Sequence, residues 1–544
     1  MLPSLVEVAS MKTPETDTCR HKKSAGNHFF SCESTKFPHF RSEMVRSDCK
    51  RLDQILNKAS NNHETSLDLN ELEGSDYCGF SLHSGNPFPK ECTDIDLNYD
   101  VPGFVRLPWS TANITDGCYR YKEIAQELEN IAGNGVNSIG DVIDAIKKCA
   151  PWIKSYKPYN GLQSFMDHRS NSEQREVLDT ITGIARLALR AKTVFTKPLP
   201  LLVTDRPGSV TLSQEQCACL LANAFFCTFE KDRENYNKIN FSSLFNGTNP
   251  LSHVKLQFIL NYFSLVLKKM PDGCVSFRRT VLSEDEVPKW EEDEALMPLV
   301  AASSDGTIED ASGCLQVDFA SKFIGGGAVR TGAVQEEIRF LICPEMIVSS
   351  LLCERMGPRE AIHIIGAQRY SSYAGYGRTL ACLPYDGYGS EPRDQFRRVI
   401  SNVVAMDARN FRQAGTLAQY TPQNINRELN KAYAAFMTTS DDPRPVASGN
   451  WGCGVFGGDK ELKSLIQMLA AAKARRSMIY YTFNDEKFEA AMNKHYGMLI
   501  QNNATIGIIY RALMSYGKEC ERNLQLTVFQ HVEAVVGCTT GRCP

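Results

Sequence analysis

The sequence lacks a long hydrophobic run and an excess of positive charge. No stretch approaches the ~18–20 uninterrupted apolar residues of a membrane-spanning helix, which excludes a spanning protein and predicts no membrane partner. Sixty basic and 63 acidic residues give a net charge of −3, whereas a protein that binds nucleic acid mainly through phosphate contacts is more basic. We therefore expect no direct DNA binding. The first residues also lack the basic segment and apolar run of a secretory signal, so we expect a protein that is not exported.

Metal-binding motifs are also absent. The 19 cysteines include no Cys-x-x-Cys pair, and the nearest pairs, Cys217/Cys219 and Cys538/Cys543, have no histidine at zinc-finger spacing. A His-Glu-x-x-His motif does not occur either. These observations predict thiols in a reducing compartment, the nucleus or the cytoplasm, and no metal site.

The composition indicates a large folded protein with a tail. Of the 544 residues, 42% are hydrophobic and 23% are charged, which is typical of globular domains and provides enough chain for more than one unit. Residues 1–100 are rich in Ser, Asn, Thr and charge, and we predict a disordered tail there. Residues 101–200 carry apolar residues at helical spacing and are predicted to form a helical accessory region, followed by the main domain at 201–544.

After about residue 270, short apolar runs alternate with helical patterns. This alternation is typical of an α/β sheet with several parallel strands, whose ligands bind beyond the carboxyl ends of the strands. Upstream, the capping boxes Ser170-x-x-Glu173 and Ser213-x-x-Gln216 predict the starts of two helices. The predicted strands are Cys314–Ala320, Ala361–Ile365, Val403–Met406 and Met478–Thr482, and the predicted helices are Val334–Ile342, Asn426–Phe436 and Lys460–Lys473.

The first glycine loop (residues 325–332) begins with three consecutive glycines and is followed by Gln335-Glu336-Glu337. Such a loop leaves room for a ligand beside its backbone. Carboxylates in a first helical turn are also favoured by the helix dipole alone, without any function. Adjacent helical residues point about 100° apart, so Glu336 and Glu337 do not flank one bond as glycosidase carboxylates usually do. One is expected to handle a proton and the other a hydroxyl, and Asp318 to orient the loop or the pair.

The second glycine loop (residues 449–458) precedes the predicted helix Lys460–Lys473. Its backbone amides and the helix amino end are suited to a diphosphate. Gly452-x-Gly454-x-x-Gly457 also matches a dinucleotide-binding pattern, with Asp485 as the ribose acid, although the spacing is longer than usual. An aromatic residue at a strand end, such as Tyr376 or Phe483, is able to stack on a purine.

These residues resemble the poly(ADP-ribose) glycohydrolase family. The likeness rests on Gly325-Gly326-Gly327 followed by Gln335-Glu336-Glu337, and it extends over about 200–520, including 220–229, Val317–Ala320 and 449–454. It is weaker over 101–200 and absent before that. The resemblance implies a macrodomain, a mixed sheet flanked by helices, with a helical accessory region. It also implies exo-acting hydrolysis of the ribose–ribose bonds of poly(ADP-ribose), without a metal or other cofactor, to release ADP-ribose.

The resemblance also assigns roles to particular residues. Glu337 would be the general acid and base, Glu336 would bind ribose hydroxyls, and Asp318 would support the site. Ser321 stands where the vertebrate-type pattern has an asparagine that contacts ribose. We therefore expect the ribose to be positioned more weakly there, without loss of activity. The other implied substrate contacts are Ile308 and Glu309 at the adenine, Tyr376 over it, Gln335, the diphosphate loop Asn450, Trp451, Gly452, Cys453, Gly454 and Val455, and Phe483 near the reacting ribose.

Two further functions remain open from the sequence. A non-catalytic reader would bind ADP-ribose in the same pocket without releasing product, and a nicotinamide-dependent dehydrogenase would use the dinucleotide pattern. For the glycohydrolase, the expected partner is the polymer attached to acceptor proteins, and a monomer is expected. The adjacent glutamates next to a ribose favour the enzyme over the reader.

Overall fold

The computed structural model describes residues 48, 50–59, 76–77, 80–83, 86–91 and 103–539, with gaps at 116, 154–158, 196–197, 231–233, 413–414 and 438–443. The predicted tail over 1–100 lies largely outside these residues. Within it, however, residues 50–59 form a helix. Its side chains Ile55 and Ala59 are fully buried in a small cluster with Ala301 and Ile308. This packed helix was not predicted.

The region before the alternating part of the sequence is mainly helical, as predicted. Both predicted capping boxes are present: Ser170 and Glu173 cap one helix, and Ser213 and Gln216 cap another. Because each pair satisfies main-chain groups that the helix leaves unpaired, the helix starts are fixed locally. The helices are Arg120–Asn134, Ile139–Cys149, Asn160–Asp167, Asn171–Val194, Gln214–Phe225, Ser242–Phe245 and Pro250–Lys268.

The structure has a central sheet of nine strands, seven of which come from the alternating part of the sequence after about residue 270. Its strands, in chain order, are β1 Asp76–Tyr77, β2 Gly208–Ser213, β3 Cys274–Val281, β4 Val300–Ser303, β5 Leu315–Asp318, β6 Glu360–Ile365, β7 Asn402–Ala405, β8 Val446–Gly449 and β9 Met478–Tyr481. Their spatial order is β1-β2-β3-β6-β7-β5-β8-β9-β4. Strands β7, β5, β8, β9 and β4 run parallel, while β2, β3, β6 and β7 pair antiparallel. The mixed sheet and the four predicted strands are confirmed.

Helices cover the sheet and shorter elements connect its strands. The three predicted helices are confirmed, and the last one has the predicted bounds. The helices after β5 are Gln335–Ile342, Ser349–Leu352, Pro422–Phe436, Lys460–Lys473, Glu486–Gln501, Ile506–Arg522 and Val528–Thr539. Single 3₁₀ turns lie at Trp290–Glu292, Ile308–Asp310, Pro344–Val348, Gly377–Thr379 and Thr416–Tyr420. Two-stranded ladders pair Phe80–His83 with Asn86–Glu91, Ile114–Thr115 with Cys118–Tyr119, and Ser372–Ala374 with Ala381–Leu383.

Two hydrophobic cores lie on opposite faces of the sheet. Alternate residues of β7 face different cores: Val403 and Ala405 belong to the first core, and Val404 belongs to the second. The first core also contains Leu128 and Ile184 from the helices that precede the sheet. The helical region therefore packs directly on one face of the sheet.

Two predictions from the sequence, on membrane-spanning helices and on free thiols, can be compared with the structure. Among the described residues, no helix is both long enough and apolar enough to cross a membrane. Twelve described cysteines are free thiols, as expected. The expectation was wrong for Cys538, which is disulfide-bonded.

Strands β5 and β8 place the two glycine loops together. The two strands are parallel neighbours, with Leu315 opposite Val446 and Gln316 opposite Ala447. The first glycine loop follows the carboxyl end of β5, and the second follows that of β8. Both loops therefore lie at the same edge of the sheet.

Candidate active site

Main-chain N–H groups hold the carboxylate of Glu336. Ser321 N–H donates to its Oε2 at 2.9 Å and Gly325 N–H donates to its Oε1 at 2.7 Å. Glu336 is buried, and burial raises its pKa, reinforced by the negative charges of Asp318 and Glu337. The two N–H groups act in the opposite direction because they stabilise the charged form.

Main-chain N–H groups also hold the carboxylate of Glu337, one from the glycine loop and one from the residue before the helix. Gly327 N–H donates to its Oε1 at 2.8 Å, and Val334 N–H donates to its Oε2 at 2.9 Å. Both glutamates line a cleft of about 1190 Å³. The glycine-rich sequence therefore delivers N–H groups to two adjacent carboxylates on one wall of a cleft.

The geometry explains why Gly326 and Gly332 must lack side chains. Gly326 has a φ of +47°, a left-handed conformation that a side chain disfavours. A Cβ atom on Gly326 would overlap the carboxylate oxygens of Glu336 and Glu337, and one on Gly332 would overlap Glu337. The loop can approach the carboxylates only because these positions are glycine.

Asp318 lies behind the cleft at the end of β5. It is fully buried, and neither carboxylate oxygen has a hydrogen-bond partner among the described residues. Burial raises the pKa of Asp318, as does the neighbouring Glu337, while Arg339 lowers it. The Asp318 carboxyl thus makes no hydrogen bond to the loop or to the glutamates among the described residues, and its predicted role in orienting the loop or the pair stays a prediction.

Gln335 joins its helix to β5. Its Oε1 accepts from Phe319 N–H at 2.8 Å and its Nε2 donates to the Val317 carbonyl at 3.1 Å. Its main-chain N–H donates to the Tyr376 hydroxyl at 3.1 Å. Gln335 lines the cleft, but its amide is already engaged in fixing the start of the helix that carries both glutamates.

Ser321 contributes through its backbone. Its N–H holds Glu336, and its hydroxyl accepts a hydrogen bond from Phe323 N–H at 3.3 Å. Ser321 lines the cleft. A serine therefore keeps this turn closed at the position where the family pattern has asparagine.

The second glycine loop presents backbone to the cleft and a side chain to the core. Asn450 is fixed by bonds to the Thr482 carbonyl and from the Tyr480 hydroxyl, each 3.0 Å long. Trp451 is fully buried, and its indole N–H donates to the Met406 carbonyl at 2.9 Å. Trp451, predicted as part of the diphosphate loop, therefore turns its side chain into the core, and its predicted contact with substrate stays a prediction. Asn450, Gly452, Cys453, Gly454 and Val455 line the cleft.

The helix after this loop has its own cap. Asp459 accepts a hydrogen bond from Leu462 N–H at 2.9 Å. An anion in the cleft would therefore meet the amides of the loop rather than an open helix end. Asp485 is likewise occupied, since it caps the next helix through Phe488 N–H at 3.0 Å and binds the ammonium group of Lys460 at 2.7 Å. The suggested ribose-binding role of Asp485 has no support in this geometry.

Two aromatic side chains that line the cleft pack against each other. The rings of Tyr376 and Phe483 lie 5.2 Å apart between centroids and are inclined by 57°. Phe483 is 64% exposed and Tyr376 is 39% exposed. At the same cleft, the Tyr373 hydroxyl binds the carboxylate of Glu309, next to Ile308. The aromatic residues and the Ile308–Glu309 pair are therefore brought together, as predicted.

Sequence reasoning missed the residues behind the first glycine loop. The buried ammonium group of Lys255 donates to the carbonyls of Gly327, Ala328 and Arg330 at 2.7, 3.1 and 3.0 Å. Burial lowers the pKa of Lys255 to about 7. Asn237 also donates to the loop. The one signal for Lys255 in the sequence was its position in an apolar part of a helix, between Val254 and Leu256.

Comparisons with known proteins agree with this geometry. A family model described as the Macro domain fold of poly(ADP-ribose) glycohydrolase matches residues 287–490, and one for the helical domain of the same family matches residues 169–279. The fold is thus a macrodomain preceded by a helical domain. These matches meet between 279 and 287, whereas the predicted boundary lies at 200.

Individual relatives point to the same family. The chain is 36% identical over 373 residues to Poly(ADP-ribose) glycohydrolase 1 of Caenorhabditis elegans, covering 66% of this chain and 46% of that protein. It is 35% identical over 395 residues to Poly(ADP-ribose) glycohydrolase 2 of the same organism, covering 70% and 79%. It is 34% identical over 379 residues to Probable poly(ADP-ribose) glycohydrolase 2 of Arabidopsis thaliana, covering 59% and 72%. The chain belongs to the poly(ADP-ribose) glycohydrolase family.

Proposed function

We propose that this protein is a glycosidase that hydrolyses the ribose–ribose O-glycosidic bonds of poly(ADP-ribose) and releases ADP-ribose. Its relatives carry the name of this activity. One observation carries the proposal: Glu337 and the second glycine loop line the same cleft. A carboxyl group that can transfer a proton therefore lies in the same cleft as backbone amides suited to a diphosphate.

The proposed reaction uses Glu337 first as an acid and then as a base. Its proton passes to the oxygen that leaves, while the bond from that oxygen to the anomeric carbon breaks. The resulting carboxylate then takes a proton from the water that attacks the anomeric carbon. Glu336 binds ribose hydroxyls, and the anionic groups of the substrate stabilise the cation-like transition state.

The rest of the cleft is suited to the remaining parts of ADP-ribose. The amides of Gly452, Gly454 and Val455 face the diphosphate, whereas that of Cys453 donates to the Asn450 carbonyl at 3.0 Å. The cationic side chains of Arg412 and Lys460 also line the cleft. Tyr376 stacks on the adenine, and Phe483 lies near the reacting ribose. A polymer with two phosphates in every unit is a suitable ligand for such a cleft.

The direct test is incubation of the purified protein with poly(ADP-ribose), followed by separation of the products by size. We expect free ADP-ribose from the earliest time points, with gradual shortening of the polymer, because we propose exo action. Early release of oligomers would instead establish cleavage at interior bonds. Binding of the polymer without any product would favour the reader.

Three accompanying proposals come from the sequence. We propose that the protein acts as a monomer, that it works in the nucleus or the cytoplasm, and that its polymer is attached to acceptor proteins.

The dehydrogenase alternative loses its main support because Asp485 is engaged by Lys460 and Phe488.

A further inference from the structure

Asn237 holds the carbonyl groups of the first glycine loop. Its side-chain Nδ2 donates to the Ile324 carbonyl at 2.9 Å and to the Gly326 carbonyl at 3.0 Å, and it lies 3.3 Å from the Phe323 carbonyl. Its Oδ1 accepts from Arg330 at 3.0 Å, and the same Arg330 nitrogen donates to the Gly326 carbonyl at 2.8 Å. The asparagine thus contacts two peptide units of the loop at once.

The opposite ends of these two peptide units hold the glutamates. The unit with the Ile324 carbonyl contains Gly325 N–H, which donates to Glu336 at 2.7 Å. The unit with the Gly326 carbonyl contains Gly327 N–H, which donates to Glu337 at 2.8 Å. In a planar trans peptide the C=O and N–H bonds point in opposite directions. Fixing each carbonyl therefore fixes the direction in which its N–H group points.

We propose that Asn237 is a positioning residue for both glutamates, which acts on them through two peptide units of the glycine loop. The inference rests on the proposed function, because it concerns the same reaction. Asn237 lies within residues 169–279, the part matched by the helical-domain model. The helical domain therefore supplies part of the scaffold of the site, in addition to its packing on the sheet.

Lys255 limits the consequences of removing Asn237. It binds the carbonyls of Gly327, Ala328 and Arg330, none of which Asn237 contacts. Loss of Asn237 should therefore loosen the first two peptide units while the later part of the loop stays fixed. The expected defect is a misdirected carboxylate, without loss of the cleft.

The test compares Asn237→Asp with Asn240→Asp. The aspartate at 237 has the same shape but loses the Nδ2 donor and places negative charge beside two carbonyls. The control is closely matched, since the side chain of Asn240 donates to the Phe229 carbonyl at 2.8 Å in the same segment of chain. The measurements are kcat and KM for polymer hydrolysis, together with the affinity and stoichiometry of ADP-ribose binding by calorimetry.

For Asn237→Asp we expect kcat to fall by about tenfold to a hundredfold, because a misplacement of about 1 Å has effects of this size. ADP-ribose should still bind at the wild-type stoichiometry and with an affinity within about threefold of the wild type. Asn240→Asp should keep the wild-type kcat. If Asn237→Asp does not fold, Asn237→Ala, which removes the donor without adding charge, is expected to show the same separation of kcat from binding.

Two results would overturn the inference while the proposed function stands. One is a wild-type kcat in both Asn237 variants. The other is a weaker ADP-ribose affinity with unchanged kcat, which would make Asn237 a direct substrate contact. An inactive wild-type protein would instead overturn the proposed function.

Discussion

Glu337 accepts main-chain hydrogen bonds at both of its carboxylate oxygens. Glu337→Gln preserves the size of the side chain and one acceptor, but it removes the proton that the reaction needs. We expect polymer hydrolysis to fall by about 10²- to 10⁴-fold, while ADP-ribose still binds. Product release measured by chromatography and binding measured by calorimetry check the two halves of this prediction. Normal turnover by the variant would remove the acid/base role from Glu337.

Asp318 gives a prediction about pH and stability. Because burial raises its pKa in the folded state, the folded protein binds more protons than the unfolded chain above about pH 4. Its contribution to stability therefore falls as the pH rises, by up to about 1.4 kcal/mol per pH unit. Asp318→Asn removes this effect, so the melting temperature of the variant relative to the wild type should increase between about pH 5.5 and about pH 7.5.

Asp485→Asn is the matched control for that measurement. Its hydrogen bond to Lys460 lowers the pKa of Asp485, so this carboxylate is charged in both the folded and the unfolded states throughout the range. Its difference from the wild type should stay constant with pH. A constant difference for Asp318→Asn as well would contradict the raised pKa of Asp318.

The predictability of single residues depended on how local their contacts are. Glu336 and Glu337 could be predicted because the glycines that hold them are close in the sequence. Asn237 could not, since it meets Gly326 across 89 positions of the chain, and an asparagine in a loop is compatible with many roles. The burial of Trp451 could not be predicted either, because a motif does not say which of its side chains points into the core.

The first glycine loop, taken as one element, is expected to tolerate no side chain at Gly326. Gly326→Ala places a Cβ atom against Glu336 and Glu337 in a left-handed backbone conformation. We expect at least about a hundredfold loss of polymer hydrolysis, with a small decrease in the melting temperature because Lys255 still binds the later part of the loop. Steady-state kinetics and thermal unfolding provide the measurements.

Gly497→Ala is the control for a general effect of adding a methyl group. Gly497 lies within helix Glu486–Gln501, and a Cβ atom there meets nothing within 4 Å. Alanine is the better helix former by about 1 kcal/mol, so this variant should be slightly more stable and fully active. Full activity of Gly326→Ala would show that the loop can move away from the glutamates.

The predictability of elements depended on the length and pattern of apolar residues. Strands β5, β6, β7 and β9 were predicted to within two residues of their bounds, because each contains buried apolar side chains, either in a short run or, as in β5, alternating with polar ones. Strand β8 was not predicted. Its sequence Val446-Ala447-Ser448-Gly449 has little β-propensity of its own, and it is extended because parallel neighbours bind it on both sides.

At the scale of the whole molecule, the helical region and the sheet share a core. Leu128 and Ile184 from the region before residue 200 lie in the same cluster as Val275 and Phe277 of β3. A fragment containing only residues 201–544 would expose that apolar surface, at a cost of about 25 cal/mol per Å². We expect it to aggregate and to bind no ADP-ribose, as measured by size-exclusion chromatography and calorimetry.

The full chain, prepared in the same way, is the control for that fragment. A fragment that unfolds cooperatively and hydrolyses the polymer would establish 201–544 as an independent domain with the boundary that the sequence predicted. The predicted boundary followed a change in local periodicity, which does not report whether two regions bury their apolar faces against each other.

Strands β5 and β8, each followed by a glycine loop, are hydrogen-bonded neighbours although the chain visits β6 and β7 between them. Neighbouring strands lie about 4.8 Å apart, so the spacing of the two loops is set by a single step across the sheet. The route that the chain takes between them has no influence on that spacing. Insertions and deletions in the exposed turns of this excursion, outside the first glycine loop and the helix that carries the glutamates, should therefore be tolerated. One added residue within either strand end would instead displace the proposed proton donor from the proposed pyrophosphate cradle.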